Sequence, residues 1–119
     1  MTKPRTSTTR ELFGIIGKFP NASKIQAQWN AYFKKEGIDA FMDRYKTSVE
    51  NLPERLSEMF HFDRRMYLVG SDLQEAIIPL LDELDEMAQN KGKVNVILNR
   101  KGVFSGKYEV DLSAKKLLS

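Results

Sequence analysis

The sequence predicts an α/β fold built on a mostly parallel sheet. Two observations carry this: short apolar runs that end in glycine, and amphipathic stretches of helical period lying between them. Residues 12–17 (LFGIIG) form the first run, which suits a buried strand. Ile25, Trp29, Tyr32 and Phe33 then fall on one face at helical spacing. Ser23 is placed to cap that helix through its hydroxyl, and Gly37 to stop it. Residues 40–46 are a second strand. Leu52, Leu56, Met59 and Phe60 make the apolar face of a second helix, which tolerates Pro53 in its first turn. Residues 66–69 (MYLV) are a third strand running into Gly70. The period over 73–88 is helical, and Pro79 divides it into two short helices. Residues 94–98 (VNVIL) are a fourth strand, Phe104 and Tyr108 belong to a fifth, and 113–118 opens a last helix.

A chain of 119 residues, 41% hydrophobic and 29% charged, is enough for one domain with a real core. The absence of cysteine excludes disulfides, thiolate metal sites and thiol nucleophiles. No apolar run has membrane-spanning length, and MTKPRTSTTR has no apolar stretch for a secretory signal. A cytoplasmic location without a membrane partner is therefore expected. The net charge of +3 resides in Lys3, Arg5 and Arg10; the other basic side chains balance the 16 acidic ones. Residues 1–11 read as a disordered basic leader and 12–119 as the folded domain. With a formally neutral body, nucleic acid is not an expected partner.

General motifs give little. No GxGxxG follows a strand, so a dinucleotide site is unsupported. Residues 102–108 (GVFSGKY) superficially match a phosphate loop, but are one residue short between the glycines and carry Tyr108 where Ser or Thr would bind magnesium. His61, the lone histidine, ends the second helix and reads as a surface residue. Asp82, Glu83, Asp85 and Glu86 suit a solvated helix N-terminus, with no converging ligands for a metal. Because ligands of parallel sheets bind beyond the carboxyl ends of strands, loops 18–23, 70–74 and 99–111 are the expected functional segments.

Three stretches in order, LFGIIG, KKEGIDAFMDRY and IIPLLDELDEMAQNKGKVNVILNRKGVFSGKYEVD, resemble the N-terminal substrate-binding domain of shikimate dehydrogenase. The resemblance covers about residues 12 to 118 and is strongest over PLLDELDEMAQNKGKVN. It implies a three-layer α/β/α domain with a mixed, mainly parallel sheet. Of the family's two carboxylate-holding serines, Ser23 matches the first, while Ile25 replaces the second. In the next motif Val69 survives, Gly70 stands for a threonine, Asp72 for a proline and Gln74 for the proton-transferring lysine. Asn95 matches the asparagine that touches substrate hydroxyls. With one inserted residue, Asp111 matches the catalytic aspartate and Tyr108 the family tyrosine.

The resemblance thus implies a vestigial pocket for a small carboxylate of shikimate type, formed by Ser23, Asn95 and Asp111. Gln74 can hydrogen-bond but cannot relay a proton near neutral pH. Lys18, in the first loop, is a candidate substitute, although a surface role is the simpler reading. The family uses NADP on a separate nucleotide-binding domain, and no segment here supplies one, so no cofactor is expected in this chain. The expected function is a degenerate substrate-binding domain, inactive alone. The alternatives are a protein-interaction or regulatory domain, self-associated or paired with a separate nucleotide domain, and a fragment of a two-domain enzyme. Restoring Ser, Thr and Lys at positions 25, 70 and 74 is expected to recover shikimate binding. Because the basic excess lies in the leader, a chain beginning at Glu11 should keep its circular dichroism spectrum and lose any salt-sensitive DNA binding in a mobility-shift titration.

Overall fold

The computed structural model describes residues 10–118. Among them the order is β1 (Glu11–Ile16), α1 (Ala22–Glu36), β2 (Ala40–Tyr45), α2 (Leu52–His61), β3 (Arg64–Val69), β4 (Glu83–Leu84), α3 (Glu86–Lys91), β5 (Val96–Arg100), β6 (Val103–Lys107) and α4 (Ala114–Leu117). A short 3-10 turn, Ile78–Leu80, lies between β3 and β4. The strands form one sheet in the order β2-β1-β3-β5-β6-β4. β1 runs parallel to both β2 and β3, and β4 parallel to β6, whereas β5 is antiparallel to its two neighbours. The sheet is mixed and mainly parallel, as the sequence implied.

Side chains alternate across this sheet and divide the core in two. Phe13, Ile15, Met42, Met66, Leu68 and Val96 pack with Trp29 and Phe33 of α1, and with Ala114 of α4. Ile16, Tyr67, Val69 and Ile97 pack with Leu52, Leu56 and Met59 of α2, and with Ala88 of α3. Helices therefore cover both faces, giving three layers. Phe13, Trp29 and Phe33 meet with ring centroids 5.0–5.8 Å apart. The indole N–H of Trp29 donates to the Leu112 carbonyl at 3.0 Å, tying α1 to the segment before α4.

Four local expectations change. β1 begins at Glu11, inside the stretch assigned to the leader, and Arg10 pairs with Asp39 at 3.0 Å; residues 1–9 lie outside the described residues. α1 starts after the Pro20–Asn21 turn, so its N-cap position is Asn21, and Ser23 is already helical. Phe60, assigned to the buried face of α2, is 55% exposed. The stretch 73–88 is not two helices. Residues 71–77 are turns, Pro79 sits in the 3-10 turn, and β4 pairs with β6 before α3 begins. The carboxylate of Asp82 accepts from Phe104 N–H at 2.7 Å, and that of Asp85 caps α3 by accepting from Ala88 N–H at 2.8 Å. Half of the acidic run is thus occupied by backbone partners on a strand edge and a cap, and only Glu86 lies in the first turn of a helix.

A polar cluster lies beneath α2. The Tyr67 hydroxyl is fully enclosed, donating to the Arg55 carbonyl and accepting from Arg64, both at 2.9 Å. The Arg64 guanidinium also covers the Tyr45 ring at 3.9 Å and pairs with Glu58 at 3.0 Å. Burial pushes the Tyr67 phenol up to about 12, with Arg64 opposing, and raises Tyr45 for the same first reason. An unfolded tyrosine ionises near ~10. The neutral phenol therefore stabilises the fold fully below that pH, and this contribution disappears as pH rises towards about 12. Urea midpoints should fall steeply across that window, and the fall should be shallower in Tyr67→Phe.

Candidate functional site

The carboxyl ends of the parallel strands β1 and β3 define one edge of the sheet. Gly70 N–H donates to the Ile16 carbonyl at 2.8 Å, extending the β1–β3 ladder into the loops. β5 runs the other way, so its beginning arrives here: Val69 N–H donates to Asn95 O and Asn95 N–H to Lys107 O, both at 2.9 Å. The expected loop 99–111 is therefore split. Its far end, 108–111, reaches this edge. Asn99 lies at the opposite edge, where its buried amide donates to the carbonyls of Met59 and Arg64 and accepts from Gly102 N–H. Residues 92–95 take its place beside the candidate site.

Two glycines bring the β1 and β3 loops into direct backbone contact. A Cβ on Gly70 would sit 2.3 Å from the nitrogen and 2.5 Å from the oxygen of Lys18, an overlap that only a main-chain shift relieves. A Cβ on Gly17, whose φ is +83°, would sit 2.7 Å from a carboxylate oxygen of Asp72. That carboxylate accepts from Lys18 N–H at 2.8 Å. A negative side chain of the domain itself thus holds this backbone donor. Leu73, fully buried behind it, anchors the loop in the α2-side core.

Each of the four predicted site residues has its own partners among the described residues. The Gln74 amide donates to the Val69 carbonyl at 3.0 Å, closing its own loop. Asn95 is 5% exposed and grips a single residue, donating to Glu109 O at 2.7 Å and accepting from Glu109 N–H at 2.8 Å. The Ser23 hydroxyl accepts from Arg44 at 3.0 Å. Asp111 is exposed, and the N–H and then the hydroxyl of Ser113 hold its carboxyl below the usual range, with help from Lys116. Asp111 borders a groove of about 410 Å³ between α1 and α4, walled by Ile25, Trp29, Tyr32 and Leu112. Arg44 borders a separate cavity of about 410 Å³ with Gly17, Gln26, Asp43 and Lys46. Asn99, the second buried asparagine, escaped the sequence reading. Its position in β5, four residues after Asn95, was the available signal.

Among the described residues, no group of three or more His, Asp or Glu side chains is placed to hold a metal. No helix there is long and apolar enough to cross a membrane. In the β1 turn the Asp72 carboxylate accepts from the Lys18 amide, which places negative charge beside that backbone donor.

No protein-family profile matches the chain. It is 31% identical over 108 residues to the shikimate dehydrogenase (NADP(+)) of Pyrococcus furiosus, covering 91% of this chain and 40% of that protein. The crystal structure of shikimate 5-dehydrogenase from Listeria monocytogenes with shikimate and NAD superposes with a TM-score of 0.79 at 25% identity, over 87% of this chain and 36% of that one. The Thermus thermophilus enzyme, in complex with NADP(H) and shikimate, gives 0.72 at 28% identity, over 82% and 37%. The chain belongs to the shikimate dehydrogenase family. It spans 32–40% of the length of the curated relatives it matches. Within this family domain, position 70 cannot carry the threonine of the motif while the loops remain in contact. The triple restoration inferred from sequence is therefore revised, because Gly70→Thr drives a side chain into Lys18. Gly70→Ala alone should destabilise the domain by about 1–3 kcal/mol in urea titration, as overpacking does.

Proposed function

We propose that this chain is a shikimate dehydrogenase-type substrate-binding domain whose ligand edge has closed, and that alone it neither holds shikimate tightly nor transfers hydride. The observation that carries this reading is the backbone contact of Gly70 with Gly17 and Lys18, latched by Asp72. It occupies the crevice between the ends of β1 and β3, where an open α/β sheet receives its ligand. The remaining polar groups support the same reading. Gln74 and Asn95 have their amides committed to backbone partners, and Gln74 has no proton to exchange near neutral pH. Loss of a general acid or base typically lowers a rate by about 10²–10⁴.

A second reading is favoured by one observation: Asp111 remains exposed, ionised and unencumbered by the sheet. On that reading the chain is one part of an NADP-dependent shikimate dehydrogenase, and hydride transfer requires a nucleotide-binding domain supplied elsewhere. The closed edge argues against it, because Asp111 would then face a substrate that has no seat between the loops.

Both readings meet in one experiment. Shikimate titrated into labelled protein, followed by amide chemical shifts, should move neither Lys18, Gly70 nor Asn95 below ~1 mM, as expected when several polar contacts are missing. Shikimate with NADP⁺ should form no NADPH. Saturable shifts at those amides, or turnover abolished by Asp111→Ala, would establish a working site instead.

A further inference from the structure

β2 is the outermost strand of the sheet. Edge strands ordinarily present a row of unpaired N–H and C=O groups on which a second chain can add a strand. In a parallel ladder alternate residues bond inward and point outward; Asp39 O receives Glu11 N–H from β1, so residues 40, 42 and 44 face out. All three outward N–H groups are occupied from within the chain. Ala40 N–H donates to Ile38 O at 3.0 Å. Arg44 N–H donates to the Asp43 carboxylate at 2.8 Å. Met42 N–H donates to Asn30 Oδ1 at 2.7 Å, and Met42 O accepts from Asn30 Nδ2 at 3.0 Å and Gln26 Nε2 at 3.1 Å.

The Asn30 amide therefore engages Met42 as a neighbouring strand would, through one donor and one acceptor. We infer that Asn30 of α1 guards the β2 edge against strand addition by a second copy of this chain. The occupant follows from the geometry of the edge. Two copies of β2 paired antiparallel about a two-fold axis at Met42 exchange both Met42 bonds with each other, the pair of groups that Asn30 holds. The same register sets residue 40 against residue 44, so every outward donor of β2 gains a partner in the other copy. Phe41, 42% exposed beside this edge, adds an apolar surface that such pairing would cover. The opposite edge, β4, has two residues and offers no comparable template.

The test uses the full chain and two substitutions, Asn30→Ala and Asp43→Ala, the second on an exposed side chain remote from the core. Hydrogen exchange should accelerate about tenfold at Met42 in Asn30→Ala, as for one lost hydrogen bond, and at Arg44 in Asp43→Ala. Sedimentation over a concentration series should show self-association beyond that of the native chain for Asn30→Ala, and none for Asp43→Ala, in which Asn30 still holds both Met42 groups. Exchange at Met42 should slow again as concentration rises, which locates the contact on β2. If Asn30→Ala fails to fold, Asn30→Ser, too short to reach both Met42 groups, is measured in its place by the same sedimentation and exchange. Unchanged exchange at Met42 in the Asn30 variant, a mass distribution for that variant identical to the native chain, association without renewed protection on β2, or association of Asp43→Ala would each overturn the proposal.

Discussion

The contact of Gly70 with the backbone of Gly17 and Lys18 is the constraint on which the rest of this edge depends. The β1–β3 ladder does not end with the strands; it continues through Gly70 N–H to Ile16 O and brings two loops together without intervening side chains. With the loops joined, Leu73 enters the core, Gln74 turns back onto Val69, and the Gln74 carbonyl receives Val94 N–H at 2.9 Å. The entry to β5 is thereby set, and with it the placement of Asn95. Absence of one Cβ propagates through four segments.

Two buried asparagines, Asn95 just before β5 and Asn99 within it, complete the framework from opposite ends. Asn95 holds the segment after β6 at one, and Asn99 joins the end of α2, the start of β3 and the β5–β6 turn at the other. Each is 5% exposed, so each had to satisfy a donor and an acceptor in place of water. An amide bound on both sides to main chain is a poor substrate contact, because releasing it leaves buried groups without partners. The Asn95 amide spends one donor and its oxygen on the main chain of Glu109.

Much of the fold was legible because burial and period coincide. The apolar runs entering Gly17 and Gly70 became the central parallel strands, and Trp29 and Phe33 lie on the buried face of α1 as their spacing required. The stretch 73–88 was misread because period alone cannot register a two-residue strand. β4 exists through its pairing with β6 and the Asp82 bond to Phe104, both set by residues about twenty positions away. Ser23 has the chemistry of a cap, yet the Pro20–Asn21 turn starts the helix one residue before it, and Arg44 takes its hydroxyl. At the site, residue identities told which motif groups were gone. They did not tell that the loops had met, since a glycine in sequence carries no sign of what approaches it.

That difference changes how the lost motifs are understood. Taken separately, Ile25, Gly70 and Gln74 are three missing polar contacts, each restorable by substitution. In the structure Gly70 and Gln74 are coupled, and Ile25 stands apart. Gly70 admits the Lys18 backbone, Asp72 latches it, and Gln74 closes the loop behind, while Ile25 lies with Trp29 and Tyr32 along a different groove. Energies of contacting residues are not additive, so returning one group at a time meets the packing of the others. Gln74→Lys alone would put an ammonium behind the loop in place of the amide that now donates to the Val69 carbonyl. Under the proposed reading a binding edge requires the two loops to part first, with the Asp72–Lys18 bond the contact that breaks before a polar group at position 70 or 74 meets a ligand.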